Sequence, residues 1–363
     1  MKKYIILSVS LLVFVLTTNA QSLGSDSTLK ISGSADIYYK YDFAEEHNNQ
    51  TLENVVLGTK QNSINFGMLD LKIQKQINNA SIVAELAFGS RPYFNLVDPQ
   101  LAYNIQNLYV SYQASKKIAI AAGVMYRYQT FEKMTPADNF NSSMSNAFLN
   151  QYFNRSAGVR AIFDITAKTR LVVGAYNSFD PTSASDPIVA KPQWGVSDVC
   201  AQLFTSPMKN LKTRVAVWLE GKRDTGVSRL HTNFQAEYLL TKKCKLGLDA
   251  TKFTCNDTAS ALHSYSSVVG YLQYAITPSF TIGGRIEHME RVEPSNSLSP
   301  DYTLGRYNSF TFTTSFSKGP ITFKQEYKYD MTDKNNLKSF YLDKDDKMTD
   351  HASQVVVSAI YSF

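Results

Sequence analysis

The histidines are the side chains of this sequence best suited to acid–base or metal chemistry, but they are scattered along the chain. The five are His47, His231, His263, His288 and His351. Most of them fall in predicted loops or at strand ends, and no GxSxG, HExxH or paired-carboxylate motif accompanies them. The CxxC and histidine-cluster spacings of metal sites are also absent from the sequence. A Ser–His pair would have to form through the fold alone, so we expect neither an enzyme nor a cofactor.

Charged side chains are the second set of candidates, and they occupy every other position in otherwise apolar segments. In residues 321–330, apolar and aromatic side chains alternate with Lys324, Glu326 and Lys328. Successive side chains of a β-strand point to opposite faces, so this pattern predicts strands with one apolar and one charged face. A charged face in contact with water can attract or repel ions. Seven residues are our candidates for lining or narrowing a pore: Arg160, Arg214, Arg285, Lys324 and Lys328 on the charged faces, and Glu132 and Asp138 in the long connection at 127–152.

The same alternation recurs along most of the chain and defines the elements that carry these charges. It is strict over residues 29–43, which is too long for an ordinary globular strand of about 5–6 residues. It suits a tilted strand that crosses a bilayer, which takes roughly 9–11 residues. The final residues, 354–363, alternate in the same way and end on Phe363. A change of phase near Met68 predicts a β-bulge.

The connections between these segments alternate between short and long. Short turns are predicted near residues 76–79, 115–117, 166–168, 206–210, 241–243, 277–279 and 318–320. Longer connections lie near 44–61, 91–102, 127–152, 180–192, 257–262, 293–305 and 332–350, with a modest one near 224–227. Outer-membrane barrels of bacteria combine short periplasmic turns, long outer loops and an even strand number. We therefore predict an all-β transmembrane antiparallel barrel of about sixteen strands, with fourteen or eighteen as near alternatives.

Two soluble all-β folds also produce alternating strands. A β-sandwich buries its apolar face in the interior, and its loops do not alternate so regularly between short and long. A β-propeller would repeat a shared motif every 40–45 residues or so, and no such motif is visible in the sequence. Both soluble folds fit the pattern less well than a barrel in lipid.

The start of the chain predicts export. Lys2 and Lys3 precede an apolar stretch at residues 4–16, and small residues, Thr18 and Ala20, follow it. This arrangement is typical of a cleaved signal peptide, so we predict a signal peptide at 1–20 and a barrel at 21–363. Such a barrel would lie in the outer membrane of a Gram-negative bacterium, in contact with its lipids. The formal net charge of +6 is spread without a basic run, so nucleic acid is not an expected partner.

The connection at 127–152 is the longest uninterrupted loop. Thr135, Pro136 and Asp138 have the order of a helix start, and Phe and Met side chains follow that are awkward on a free surface. A loop of this length without structure is unusual unless it is functional. Two placements remain open, because the loop could fold into the lumen and narrow it or pack on its neighbours outside.

The charged faces predict the electrical properties of the lumen. Barrels of about 16–18 strands leave an aqueous channel, so we expect water to solvate charges such as Lys324. The two signs are nearly balanced along the predicted lumen face, which predicts weak ion selectivity, since strong selectivity uses rings of one sign. If the loop enters the lumen, we expect Glu132 and Asp138 to approach Arg160 and Arg214 and to create a transverse field.

Several segments of the sequence are similar to a known family of barrels. They are 31–41, 106–112 with Gly123, 157–161, and 174–177 followed by Asp180. These segments resemble the putative β-barrel porin-2, OmpL-like, family of outer-membrane proteins. The resemblance implies a porin-like barrel through which small hydrophilic solutes pass passively. Residues 361–363 are similar to the signal that such barrels present to the barrel-assembly machinery.

Two functions therefore remain in view for a barrel of this kind. One is a diffusion pore for small hydrophilic solutes. The other is a non-conducting surface barrel, an adhesin or scaffold, whose outer loops bind a partner. Conductance in a planar bilayer distinguishes the two.

Overall fold

The structure is a computed structural model of the chain. It describes residues 29–43, 62–89, 104–126, 131–150, 155–178, 198–220, 229–255, 264–292, 305–332, 341–342 and 347–363. The predicted signal peptide at 1–20 and most of the predicted long loops lie outside the described residues.

The described chain is almost entirely β-strand. The strands are β1 (Leu29–Asp42), β2 (Ser63–Ile77), β3 (Ala80–Gly89), β4 (Ile105–Ser115), β5 (Ile118–Tyr126), β6 (Arg155–Thr166), β7 (Thr169–Ser178), β8 (Asp198–Met208), β9 (Leu211–Glu220), β10 (Arg229–Leu239), β11 (Cys244–Cys255), β12 (Ser264–Thr277), β13 (Phe280–Val292), β14 (Gly305–Lys318), β15 (Ile321–Thr332), β16 (Tyr341–Leu342), β17 (Met348–Thr349) and β18 (His351–Ser362). β16 and β17 form a small hairpin of their own.

The other sixteen strands close into one antiparallel barrel. Each strand from β1 to β15 pairs with its neighbours in sequence, and β18 pairs with both β15 and β1. At the closure, Ala35 lies opposite Tyr361, and the backbone N–H of Phe363 donates to the Gly33 carbonyl at 3.0 Å. Closure leaves no free sheet edge, as a barrel in lipid requires. The prediction of a sixteen-stranded antiparallel barrel is confirmed.

The two faces of the wall differ in polarity as the alternation predicts. Outward side chains such as Ile64 and Ile286 are apolar and exposed, at 78% and 63% of their surface. Inward positions carry buried polar side chains, for example Asp36, Lys40 and Asp42 on β1. An apolar outer face against lipid and a polar interior are the arrangement of an outer-membrane barrel.

The short turns lie at the predicted places. Asn78 and Gly319 adopt left-handed conformations with φ of 52° and 57°, which tight turns between strands require. The bulge predicted near Met68 is also present. Met68 pairs with Asp36 and Phe66 with Ile37, so the register between β1 and β2 shifts by one residue there.

Within the described residues, regular helix is confined to one segment between β5 and β6. A single 3-10 turn covers Pro136–Asp138, and a short α-helix, α1, covers Asn146–Asn150. No helix in the described ranges has the length and apolar composition needed to cross a membrane. The three cysteines, Cys200, Cys244 and Cys255, are all free thiols.

Candidate functional site

Residues 131–150, called the inner loop below, lie inside the barrel. Their polar groups bond to inward-facing side chains of β11, β13, β14, β15 and β18. The helix start predicted at Thr135 and Pro136 is a single 3-10 turn with Pro at its first position. The structure therefore decides between the two placements left open by the sequence, and the loop occupies the lumen.

Three carboxylates of the wall accept hydrogen bonds from backbone N–H groups of the inner loop. Glu326 on β15 accepts bonds from the N–H groups of Ser142 and Ser143, at 2.6 and 2.8 Å. Glu287 on β13 accepts the N–H groups of Asn146 and Ala147, at 2.8 and 2.5 Å. These two N–H groups begin α1, where a helix leaves its donors unsatisfied.

Asp249 on β11 holds the first residue of the inner loop in the same way. Its carboxylate accepts a hydrogen bond from the N–H of Phe131 at 2.5 Å. It also accepts hydrogen bonds from the side-chain amides of Asn233 and Gln235, at 2.6 and 3.2 Å. Hydrogen bonds to an ionised acceptor are stronger than neutral ones. The carboxylates thus hold the loop at its beginning, its middle and the start of α1.

Arg285 on β13 makes the densest contact between the wall and the inner loop. Its guanidinium pairs with Glu132 of the loop at 2.5 Å and donates to the Ser143 and Met144 carbonyls at 2.9 and 3.1 Å. It also donates to the Thr311 hydroxyl on β14 at 3.1 Å. Only 1% of Arg285 is exposed. Removing one member of a buried pair leaves the other charge uncompensated, at a cost of about 3–5 kcal/mol.

Lys324 does not face water, and this corrects the expectation from the sequence. It is 3% exposed, and its ammonium donates to the carbonyls of Pro136 and Asn139 at 2.9 and 2.5 Å. Lys328 is also buried and pairs with Asp330 at 2.9 Å. The expectation failed because it treated the lumen as water-filled throughout, whereas the inner loop excludes water from this wall.

Two inward-facing glycines make room for the aromatic rings of the inner loop. A Cβ on Gly247 would lie 2.8 Å from the ring of Phe131, and one on Gly283 would lie 2.7 Å from the ring of Phe140. The Phe131 ring stacks on Tyr271 of β12 at a centroid distance of 4.6 Å. Contacts closer than 3 Å force a shift, so a larger residue at either glycine would move the ring of the inner loop or the neighbouring strand.

The inner loop also reaches the opposite wall. Met134 packs against Met68 of β2 and Ala87 of β3 in one buried apolar cluster. The loop therefore crosses the lumen, with polar contacts on one side and an apolar contact on the other.

Two adjoining cavities lie in the lumen, and one of them is beside the inner loop. The loop cavity, of about 530 Å³, lies between the loop and the inner wall, and its lining includes Lys133, Asp138, Arg214, Glu237 and Lys245. The turn cavity, of about 430 Å³, lies along β6–β9 and reaches the turn at 167–168, and its lining includes Arg160, Arg170 and Gln202. Phe204 and Lys212 line both cavities.

The surroundings of Lys133 in the loop cavity change the pKa of its ammonium group. Burial and, to a smaller extent, the positive charge of Arg214 lower the pKa of Lys133, whereas Asp138 and Asp249 raise it, and the net pKa is about 8. The ammonium of Lys133 therefore loses its proton within a pH range that a bilayer experiment can cover.

The profile of the putative beta-barrel porin-2, OmpL-like, family matches residues 28–363. This chain belongs to that family. It is thus a porin-like barrel, and its place is the outer membrane of a Gram-negative bacterium. The members are porins, which are channels rather than enzymes.

Solved structures of outer-membrane proteins share the fold. In-vitro folded OmpT of Vibrio cholerae has a TM-score of 0.61 at 9% identity, over 95% of this chain and 100% of that one. The outer membrane channel DcaP of Acinetobacter baumannii has a TM-score of 0.60 at 11% identity, over 94% and 99%. An anion-selective porin from Comamonas acidovorans has a TM-score of 0.60 at 10% identity, over 93% and 100%. No curated protein sequence matches this chain.

The seven charged candidates of this porin-like barrel divide into two groups. Glu132, Arg285, Lys324 and Lys328 are buried where the inner loop meets the wall. Asp138 and Arg214 line the loop cavity, and Arg160 lines the turn cavity. Of the expected approach of Glu132 and Asp138 to Arg160 and Arg214, the structure shows that Glu132, Asp138 and Arg214 line the same cavity, while Glu132 forms its ion pair with Arg285.

Sequence reasoning did not single out the residues that hold the inner loop. Asp249, Glu287 and Glu326 lie on the charged faces of their strands, but nothing in the alternation separates them from carboxylates that face water. Gly247 and Gly283 carry a usable signal, because glycine is depleted inside strands and often marks a close approach by another chain segment. In the described ranges, no group of three or more His, Cys, Asp or Glu side chains is placed to share a metal ion.

Proposed function

We propose that this porin-like barrel is a channel for the passive diffusion of small hydrophilic solutes, narrowed by the inner loop. The observation that carries the proposal is the pair of adjoining cavities in the lumen, of about 530 and 430 Å³, the first of them beside the loop. Their linings are rich in charged and polar side chains, which water can solvate. Sixteen strands are also enough to enclose an aqueous channel.

Glu132, Asp138, Arg160, Arg214, Arg285, Lys324 and Lys328 take two roles in this proposal. Asp138, Arg160 and Arg214 face the passage and act on the solute. Glu132, Arg285 and Lys324 hold the inner loop against the wall and set the width of the passage, and Lys328 pairs with Asp330, which accepts a hydrogen bond from Asn146 of the loop. This division follows from their burial and their hydrogen-bond partners.

Single-channel recording in a planar bilayer tests the function. The purified full-length mature chain should give discrete, ohmic current steps in KCl, and vesicles that contain it should become permeable to small sugars. A correctly folded, heat-modifiable barrel that never conducts would overturn the proposal. It would favour the alternative of a surface barrel that acts through its outer loops.

We further propose that the last strand is the part of the chain that the assembly machinery recognises. The Phe363 ring is exposed on the outer face, beside the ring of Tyr361 at 6.2 Å. Phe363→Ser should reduce the yield of heat-modifiable barrel in cells more than Phe323→Ser does. The Phe323 ring is similarly exposed on the outer face but lies within β15. Equal yields from the two variants would contradict the recognition of the terminal aromatic residue.

A further inference from the structure

Basic side chains outnumber acidic ones around the passage, whereas the two signs are nearly balanced over the whole inner face of the wall. The linings of the loop cavity and the turn cavity together hold seven basic and four acidic side chains. One of the four acids is Glu132, which already pairs with Arg285 outside these linings. The passage is therefore more positive than a count over the entire inner face indicates.

Arg214 lines the loop cavity, although only 5% of its surface is exposed, and it is the first of two lining arginines that have no carboxylate partner among the described residues. One of its terminal nitrogens donates to the amide oxygen of Asn233 at 3.0 Å. Its Nε is buried and has no hydrogen-bond partner in the part of the chain that the structure describes. Asn233 donates in turn to Asp249, whose carboxylate already accepts the N–H of Phe131. The nearest acid is thus occupied by the inner loop and is one side chain removed from Arg214.

Arg160 is the second such arginine. Its guanidinium lies over the ring of Tyr109, 5.1 Å from the centroid, and its Nε is likewise buried without a hydrogen-bond partner among the described residues. Asp164, the next acid on the same face of β6, pairs with Arg170 at 2.6 Å. Arg160 therefore keeps donors for a ligand, while its flat face is held by the tyrosine ring.

Two lysines add to the field of the arginines. Lys212 and Lys245 both lie 3.6 Å from Glu237, so one carboxylate is shared between two ammonium groups. One positive charge is left over at this place. Lys133 adds a further one from the inner loop while it remains protonated.

Other acidic side chains of the inner face lie outside the cavity linings, where the inner loop meets the wall. Asp249, Glu287 and Glu326 face inward like the arginines, but they are buried against the N–H groups of the loop. Carboxylates in that position do not meet a solute. The inner loop covers Arg285 and Lys324 on the same wall as well, so the charges left to the passage are those of the two cavity linings, which are mostly basic.

We propose that the passage prefers small anions to cations, and in particular oxyanions such as carboxylates and phosphate. The class follows from the donors, because a guanidinium presents parallel N–H groups that match the two oxygens of a carboxylate or phosphate. Arg214 meets the anion in the loop cavity and Arg160 meets it in the turn cavity. The inference rests on the proposed channel function and adds the chemical class of the solute.

Reversal potentials across a KCl gradient, and then a potassium acetate gradient, test the preference in the intact barrel. The wild-type protein should be more permeable to the anion than to potassium in both salts. Arg160→Gln and Arg214→Gln should each lower the anion-to-potassium ratio by about fivefold, the scale on which one charge acts over a few ångströms of water. Inorganic phosphate should reduce the chloride current of the wild type more than that of either variant.

Matched variants show whether the anion preference comes from the passage itself, from the overall charge of the barrel or from a change in folding. Arg306→Gln removes the same charge from an exposed, outward-facing arginine that pairs with Glu290, and it should leave the ratio unchanged. Arg214→Lys keeps the charge, so it should keep the chloride preference while weakening the effect of phosphate. If Arg214→Gln does not assemble, Arg214→Lys and Arg160→Gln still test the inference.

The outcomes also separate this inference from the proposed function. A wild-type barrel that conducts without preference, or that prefers potassium, overturns the anion passage and leaves the channel function standing. An equal loss of preference in Arg306→Gln would assign the effect to overall charge and overturn the role of Arg160 and Arg214. A folded barrel that does not conduct at all overturns both.

Discussion

The two sides of the lumen use the same residue types for opposite purposes. On the clamped wall, the inner faces of β11–β15 and β18, Arg285 and Glu326 are buried against the inner loop. On the open wall, the inner faces of β6–β10, Arg160 and Arg214 line the cavities, and no carboxylate among the described residues pairs with either of them. The difference is the inner loop, which uses the charges of one wall as anchors and leaves those of the other wall to line the cavities.

Deleting residues 133–149 should have the largest effect, because it removes the distinction between the two walls. The deletion should raise single-channel conductance about twofold or more, since a sixteen-stranded barrel without a loop inside is an open aqueous channel. Assembly should survive, because β5 and β6 pair up to Tyr126 and Arg155 without the loop. An unchanged conductance in a folded deletion variant would show that the inner loop does not limit the passage.

Weakening the anchors on the clamped wall should have a smaller, local effect. Glu287→Gln with Glu326→Gln removes the charge from four hydrogen bonds to the loop, and each such bond contributes about 1.5–3 kcal/mol. The amides of Ser142, Ser143, Asn146 and Ala147 should then exchange with deuterium at least about tenfold faster.

A matched charge change outside the lumen is available as the control for these anchors. Glu290→Gln alters an exposed glutamate that pairs with Arg306 and does not touch the inner loop in the described structure. It should leave the exchange of the loop amides unchanged. Unchanged exchange in the Glu287 and Glu326 double variant as well would mean that these carboxylates do not hold the loop.

The smallest predicted effect is the pH dependence of the passage. Because burial and Arg214 lower the pKa of Lys133 to about 8, this ammonium is charged at pH 7 and mostly neutral at pH 9. The anion preference should therefore fall as the pH rises through 8, by about twofold. In Lys133→Gln the preference should be lower at pH 7 and flat across this range, and a wild-type curve without a step near pH 8 would be inconsistent with the assignment.

Much of the fold follows from the sequence alone, because a barrel in lipid must alternate on every strand. The period of two across β1, β15 and β18 gives the strands and their faces, and the turn residues give their connections. The bulge near Met68 is visible for the same reason, since a phase change in the alternation has few other causes.

The division of the lumen could not be predicted in this way. Glu326 and Glu237 occupy equivalent inward positions on their strands, yet the first binds loop N–H groups and the second faces a cavity between two lysines. Their roles depend on where the inner loop lies, and this is set by contacts between residues more than a hundred positions apart. Local alternation carries no information about such contacts.

Thiol accessibility tests the central claim of a clamped and an open wall most directly. In a chain whose three cysteines are replaced by alanine, Gln202→Cys places a thiol on the open wall, where Gln202 lines the turn cavity. Thr311→Cys places one on the clamped wall beside Arg285, where Thr311 is 0% exposed. A water-soluble sulfonate-bearing methanethiosulfonate is applied while single-channel current is recorded.

The reagent should lower the current of Gln202→Cys and leave Thr311→Cys and the cysteine-free parent unaffected. Deleting residues 133–149 should make the thiol at position 311 reactive. Rapid modification at position 311 in the presence of the intact inner loop, without modification at position 202, would contradict the account.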